Sequence, residues 1–176
     1  MSLEVTIVRA DAADVRALRS LLVVATVDLY RVAASPVDLV KYLDVSASEL
    51  VIADRVNDSS TYVAVALDDR GYVIGTGYAN DVGYIGGIVT VSKRRGVGQA
   101  ILDHLIAQYP TAKHWMSVWS ENTAMLSLAH TRGFEAATDD PDERYLSDLR
   151  FFILNRTDRA DAVLLWPPIK ELCAAA

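Results

Sequence analysis

The run Lys93-Arg94-Arg95-Gly96-Val97-Gly98-Gln99-Ala100 constrains this chain more than any other. It joins an apolar, strand-like stretch ending at Val91 to helical spacing that begins near Ala100. A strand that passes through a glycine-bearing turn into a helix is a place where a protein can hold a phosphate. The first turn of the helix exposes backbone N–H groups without intrahelical partners, and the helix dipole puts partial positive charge at the same end. Glycines let the loop bend and let an anion approach the backbone, while the basic side chains add charge. The same Gly-x-Gly also suits a plain tight turn.

With 176 residues, 52% of them hydrophobic, the chain is long enough for one domain with a sizeable core and short for two. Its net charge of −6 provides no basic field for a nucleic-acid backbone, so nucleic acid is not an expected partner. The basic residues at 93 to 95 are a local exception, which suits a small polyanion or simply a solvated loop. Cys173 is the single cysteine and excludes both a disulfide framework and a cysteine metal cluster, and a reducing cytoplasm fits. His104, His114 and His130 lack metal-ligand spacing and read as structural or surface residues, so no metal is expected. No basic leader with an apolar core opens the chain, and no apolar run approaches bilayer-spanning length. The expectation is a soluble, cytoplasmic protein without a membrane partner.

Val5 to Arg9 alternate as a strand, and Asp11 and Asp14 are candidate caps for a helix carrying Val15, Leu18, Leu21, Leu22, Ala25 and Leu29 as far as about Tyr30. Ser35-Pro36 opens a short helix through Leu43. Ser46-x-x-Glu49 has capping-box form, so Glu49 to Val56 reads as a helix, although Leu50-Val51-Ile52 would also suit a strand. Tyr62 to Leu67 and Tyr72 to Tyr78 form a hairpin across Asp68-Asp69-Arg70-Gly71. Val82 to Val91 is a further strand, whose Gly83, Gly86 and Gly87 suggest a bulge or a close approach of another backbone. After the basic turn, Ile101, Leu102, Leu105 and Ile106 form one helix face ending near Tyr109-Pro110. Trp115 to Ser120 is a short strand, and Trp115 and Trp119 share its core side. Asn122 caps a helix that Gly133 stops. Phe134 to Ala137 and Leu149 to Asn155 make a last strand pair around an acidic loop.

The order of these elements and the residues at two turns resemble the GCN5-related N-acetyltransferase (GNAT) superfamily. The family's signature turn reads Gln or Arg, two residues, Gly, one residue, Gly or Ala. Lys93-Arg94-Arg95-Gly96-Val97-Gly98 fits it with lysine in the first place. A second family pattern runs from an asparagine after the fifth strand to Gly-Phe, and Asn122 with Gly133-Phe134 has its spacing. The likeness covers roughly residues 4 to 155. It implies an α/β (α+β) GNAT fold: a central mixed, mostly antiparallel sheet, helices on both faces, and a splayed fourth and fifth strand pair. Residues 1–156 would form this single domain, with 157–176 a tail of unassigned role. By resemblance, acetyl-CoA is the co-substrate. Its pantetheine arm would face Ile88, Val89, Thr90 and Val91, and its phosphates would face Lys93, Arg94, Arg95, Gly96, Val97 and Gly98. Asn122 would serve as helix cap and cofactor contact, or as cap alone.

The chain also departs from the family. Many members carry a tyrosine near the cofactor sulfur that protonates the leaving thiolate, and Ala129 stands at that position. His130 follows it, but neighbouring helical residues point about 100° apart, so it does not replace the tyrosine. Ser120, Ser127, Tyr84 and Tyr145 are the available hydroxyls. Members often use a glutamate on or near the fourth strand as base; here Asp81 and Glu121 are the nearby carboxylates, and both also suit turn or surface positions. The catalytic residues are therefore left unassigned. General acid or base help is worth ~10²- to 10⁴-fold, so transfer can survive the loss of one group, with proximity supplying much of the rest. By the same resemblance the loop bearing Asp139, Asp140, Asp142 and Glu143 would lie near the acceptor entrance, where it could attract a cationic amine or form a solvated loop. Tyr30 and Arg31 could bind an acceptor carboxylate or simply end the first helix.

The expected activity is transfer of acetyl from acetyl-CoA to a primary amine by direct attack, with no acyl-enzyme on Cys173, which lies outside the matched region. The acceptor would be a small molecule or a peptide, and a homodimer is compatible. An alternative is an acyl-CoA-binding regulatory module with little transferase activity. A third is a GNAT-like structural domain that works through a partner.

Overall fold

The computed structural model describes residues 5–30, 40, 43–44, 47–91, 96–119, 122–136 and 149–154. In chain order the elements are β1 (Thr6–Arg9), α1 (Val15–Tyr30), α2 (Glu49–Asn57), β2 (Thr61–Leu67), β3 (Val73–Asn80) and β4 (Ile85–Thr90). There follow α3 (Val97–Gln108), β5 (Trp115–Trp119), α4 (Thr123–Thr131), β6 (Phe134–Ala136) and β7 (Leu149–Leu154). The helix expected from Ser35 through Leu43, the acidic loop and the tail from 157 onward lie wholly or mostly outside the described residues.

β1 to β4 form an antiparallel sheet in sequence order, and β5, β7 and β6 form a second antiparallel sheet with β7 in the middle. The two meet at one parallel bridge between Tyr84 and Trp115, where the Trp115 N–H donates to the Gly83 carbonyl at 3.0 Å. This is the mixed arrangement with a splayed β4/β5 pair that the family resemblance implies.

The period-two alternation of β2 divides the core between the two faces of the sheet. Val63 and Val65 pack with Leu18 of α1 and with Ile52 and Val56 of α2. Ala64 and Ala66 belong to the larger cluster, which contains Ile101, Leu102 and Leu105 of α3, Met116, Val118, Ala129 and Phe134. The α3 side of β2 and β3 is built at its centre from Ala64, Ala66, Gly75, Gly77 and Ala79. Ile101 and Leu105 occupy the space that side chains at Gly75 and Gly77 would need. Small residues there bring α3 close to the sheet, and each fully buried Leu or Ile stabilises the packing by roughly 1.5–3 kcal/mol.

Local hydrogen bonds correct several boundaries. α2 is capped by Ser48 rather than by Ser46: the Ser48 hydroxyl accepts from the Val51 N–H at 3.3 Å. Glu49 is then the first helical residue, where it complements the dipole. β3 starts at Val73 because Tyr72 belongs to the turn, with its N–H donating to the Asp68 carboxylate at 2.8 Å. β4 starts at Ile85 because the Gly83 N–H closes a turn onto the Asn80 carbonyl, while the Asn80 side chain accepts from the Tyr84 N–H. Asn122 caps α4, and Gly133 follows its last turn, with its N–H donating to the His130 carbonyl.

Candidate functional site

β4 pairs with β3 on one side only. Among the described residues, no strand pairs with its other edge beyond the bridge at Tyr84. β5 likewise ends its own sheet on the facing side. Two strand edges thus diverge from a closed end, where Tyr84 and Trp115 pack with ring centroids 4.5 Å apart. An unpaired strand edge presents backbone donors and acceptors to whatever extended group enters beside it.

The β4 ladder contains the expected bulge. Thr76 pairs with Val89 and Tyr78 with Gly86, so Gly87 and Ile88 together oppose the single residue Gly77. Gly87 carries the positive φ of 61° that this bulge needs. A Cβ on Gly87 would also stand 2.9 Å from the Tyr78 ring.

Past the bulge, the Val91 N–H donates to the Ile74 carbonyl at 3.0 Å and so faces β3. Alternation along a strand gives Val89 the same direction and turns the backbone groups of Ile88 and Thr90 toward the open edge. Of the four residues expected along a pantetheine arm, the backbones of Ile88 and Thr90 are thus the ones that face the opening.

The opening leads to the N-terminus of α3. Lys93, Arg94 and Arg95 lie outside the described residues, and Gly96, Val97 and Gly98 are described. Gly96 is the N-cap, in left-handed conformation at φ 75°, with its carbonyl accepting from the Ala100 N–H. A Cβ on Gly96 would touch nothing within 4 Å, and one on Gly98 would reach only ordinary contact distance, 3.8 Å from Leu128 and Thr90. The left-handed backbone accounts for glycine at 96, while at 98 packing does not require one, and the two together leave the helix terminus clear of side chains. Val97 is fully buried and anchors this terminus in the core.

Asn122 accepts from the Met125 N–H at 3.2 Å and is half-buried at the start of α4. Leu128 of the same helix reaches the Gly98 position, so α4 flanks the α3 terminus. Ala129, at the place of the family's tyrosine, is fully buried in the larger core cluster. Ser127 and His130 are exposed on α4, and Asp81 is exposed in the turn before β4. Tyr84 lies at the closed end of the opening, between Tyr78 and Trp115. Ser120, Glu121, Arg31, Tyr145 and residues 139–143 lie outside the described residues, as does the side chain of Tyr30. Among the described residues, no group of three or more His, Cys, Asp or Glu side chains could hold a metal ion, and no helix is long and apolar enough to cross a membrane.

Sequence reasoning missed one pair on the far side of the bulge. Arg55 of α2 places its guanidinium 4.2 Å from the centroid of the Tyr78 ring, and Tyr78 in turn lies against Gly86 and Gly87. The signal was present: Arg55 sits three residues after Ile52 and one before Val56, so a charge falls on the inward stripe of an amphipathic helix.

No family model matches the sequence, and no curated protein is significantly similar to it. Solved structures do match. The chain is similar to the PaiA N-acetyltransferase of Thermoplasma acidophilum in complex with coenzyme A, with a TM-score of 0.73 at 12% identity over 85% of this chain and 98% of that one. It is also similar to a GCN5-related N-acetyltransferase of Rhodopseudomonas palustris, with a TM-score of 0.68 at 15% identity over 87% and 96%. A GNAT-family acetyltransferase of Staphylococcus aureus Mu50 gives 0.66 at 13% identity over 86% and 100%. At these identities the likeness is one of fold.

Proposed function

We propose that this chain, which has the GNAT fold, is an acetyl-CoA-dependent N-acetyltransferase acting on a primary amine. The observation that carries the reading is that the bulged edge of β4, with which no described strand pairs beyond Tyr84, lies beside the N-terminus of α3, Ile88 and Thr90 standing next to the Gly98 position. Support comes from the coenzyme A present in the similar Thermoplasma structure.

When bound, acetyl-CoA supplies an acetyl group activated as a thioester, and its transfer to an amine releases the free thiol. The chain's own part is to bind and orient. The backbone groups of Ile88 and Thr90 hold an extended arm as a further strand would. The N–H groups of the first α3 turn receive phosphate charge with the favourable end of the helix dipole. The bulge at Gly87 opens the strand beside the thioester end, so that an amine from the α1/α2 side meets it. Positioning of this kind supplies a large share of the acceleration in a two-substrate reaction.

A non-catalytic acyl-CoA-binding role is favoured by one observation, the buried alanine at position 129. The two readings separate in an assay of thiol release from acetyl-CoA across a broad panel of primary amines. Amine-dependent release with matching formation of the acetylated amine is the expected result. Saturable acetyl-CoA binding without release for any amine would place the chain among binding modules.

A further inference from the structure

A guanidinium that faces the acceptor side of the β4 bulge narrows the acceptor's chemistry, on the premise that the chain is an acetyltransferase. Arg55 lies with its charge over the face of Tyr78, 4.2 Å from the ring centroid, and the edge of that ring abuts Gly86 and Gly87. A stacked guanidinium uses its π face and keeps its in-plane N–H donors for other partners. Among the described residues, no acceptor takes a hydrogen bond from Arg55 and no carboxylate pairs with it. The chain carries a net charge of −6. No described carboxylate neutralises this half-buried arginine, so its in-plane donors stay available to a ligand anion.

Arg55 also borders a cavity of about 20 Å³, walled by Leu18, Leu22 and Ile52 and reaching Tyr78 and Gly87. That is space for roughly one water molecule. The cavity is too small to hold an acceptor, so an acceptor's anionic group would meet the guanidinium at its rim. We infer that the acceptor is a primary amine bearing a carboxylate, an amino acid rather than a polyamine, and that Arg55 receives the carboxylate through paired N–H···O bonds. Tyr78 carries the guanidinium on its face, and the short reach from ring to bulge keeps the amine close to the carboxylate that anchors it.

The test first measures acetyl-CoA binding, then compares steady-state acetylation of matched pairs: each amino acid against the amine left by removing its carboxylate. Expected is a kcat/KM at least tenfold higher for the carboxylated member of the preferred pair. Arg55→Ala should raise KM for that member tenfold or more and bring the ratio within the pair close to one, and Arg55→Lys should restore part of the ratio. Transfer that favours the decarboxylated members would overturn the inference and leave the transferase reading standing. Equal losses on both members in Arg55→Ala and Arg55→Lys, with acetyl-CoA binding intact, would reduce Arg55 to a packing residue and overturn it equally. Absence of acetyl-CoA binding in the unmodified protein would overturn the transferase reading, and this inference with it.

Discussion

At the scale of single residues, the two positions that matter most are a glycine that nothing crowds and an alanine that everything crowds. Gly96 has a left-handed backbone, open space around a would-be Cβ, and a place at the cap of α3. Aspartate tolerates that backbone region better than most residues, so Gly96→Asp should fold. It should weaken acetyl-CoA binding tenfold or more, on the order of 1.4 kcal/mol, because it sets a carboxylate at the proposed phosphate site. Unchanged affinity in the folded variant, measured by calorimetric titration, would move the phosphate site elsewhere. Ala129 is the reverse case. The family's tyrosine cannot simply be written back, since the position is fully buried in the core. Ala129→Tyr should lower unfolding stability by about 1–3 kcal/mol in a urea titration, through overpacking, and should not raise turnover. The sequence places an alanine where many family members carry a tyrosine, and the structure adds that the position is packed in the core.

At the scale of elements, much was legible because each signal was local. The polar turn at 68–71, the caps at Asn122 and Gly133 and the glycines of β4 each dictate a hydrogen-bonding or φ requirement that few residues meet. The missed details depended on partners remote in sequence. Whether Tyr72 or Val73 opens β3 is decided by the Asp68 carboxylate, and whether Val89 or Ile88 faces the opening is decided by the register with β3. Arg55 was passed over because its meaning comes from Tyr78, on another element. The cap of α4 offers a direct check. Asn122→Ala removes the acceptor for the Met125 N–H and should cost about 1 kcal/mol of stability, read as a lowered denaturant midpoint. If Asn122 also touches the cofactor, acetyl-CoA affinity falls along with it; a change in stability alone would confine the residue to capping.

At the scale of the whole molecule, a tether on the α3 face links β2 to that helix. The Tyr62 hydroxyl lies 3.0 Å from His104 Nε2, and the Gln108 amide nitrogen lies 3.2 Å from the same atom. Burial holds the His104 imidazole below its ordinary value. The unfolded chain therefore takes up the proton first as pH falls, and the stability that neutral His104 contributes is present above the unfolded value, near 6.5, and is lost as pH drops through and below it. Protonation also sets an N–H against the Gln108 donor. The drop in unfolding midpoint between pH 7.5 and pH 5 should be larger for the unmodified protein than for His104→Gln. Equal drops would show that the imidazole is not responsible.

The two sheets meet at Tyr84 and Trp115 and frame the slot that the proposed extended thioester would fill as a missing strand. Backbone hydrogen exchange with and without acetyl-CoA tests it most directly. The account predicts slowed exchange concentrated in β4 at Ile88 and Thr90 and in the first turn of α3 from Val97 to Ala100. Saturating acetyl-CoA that leaves these amides unprotected, or protects another surface instead, would contradict it.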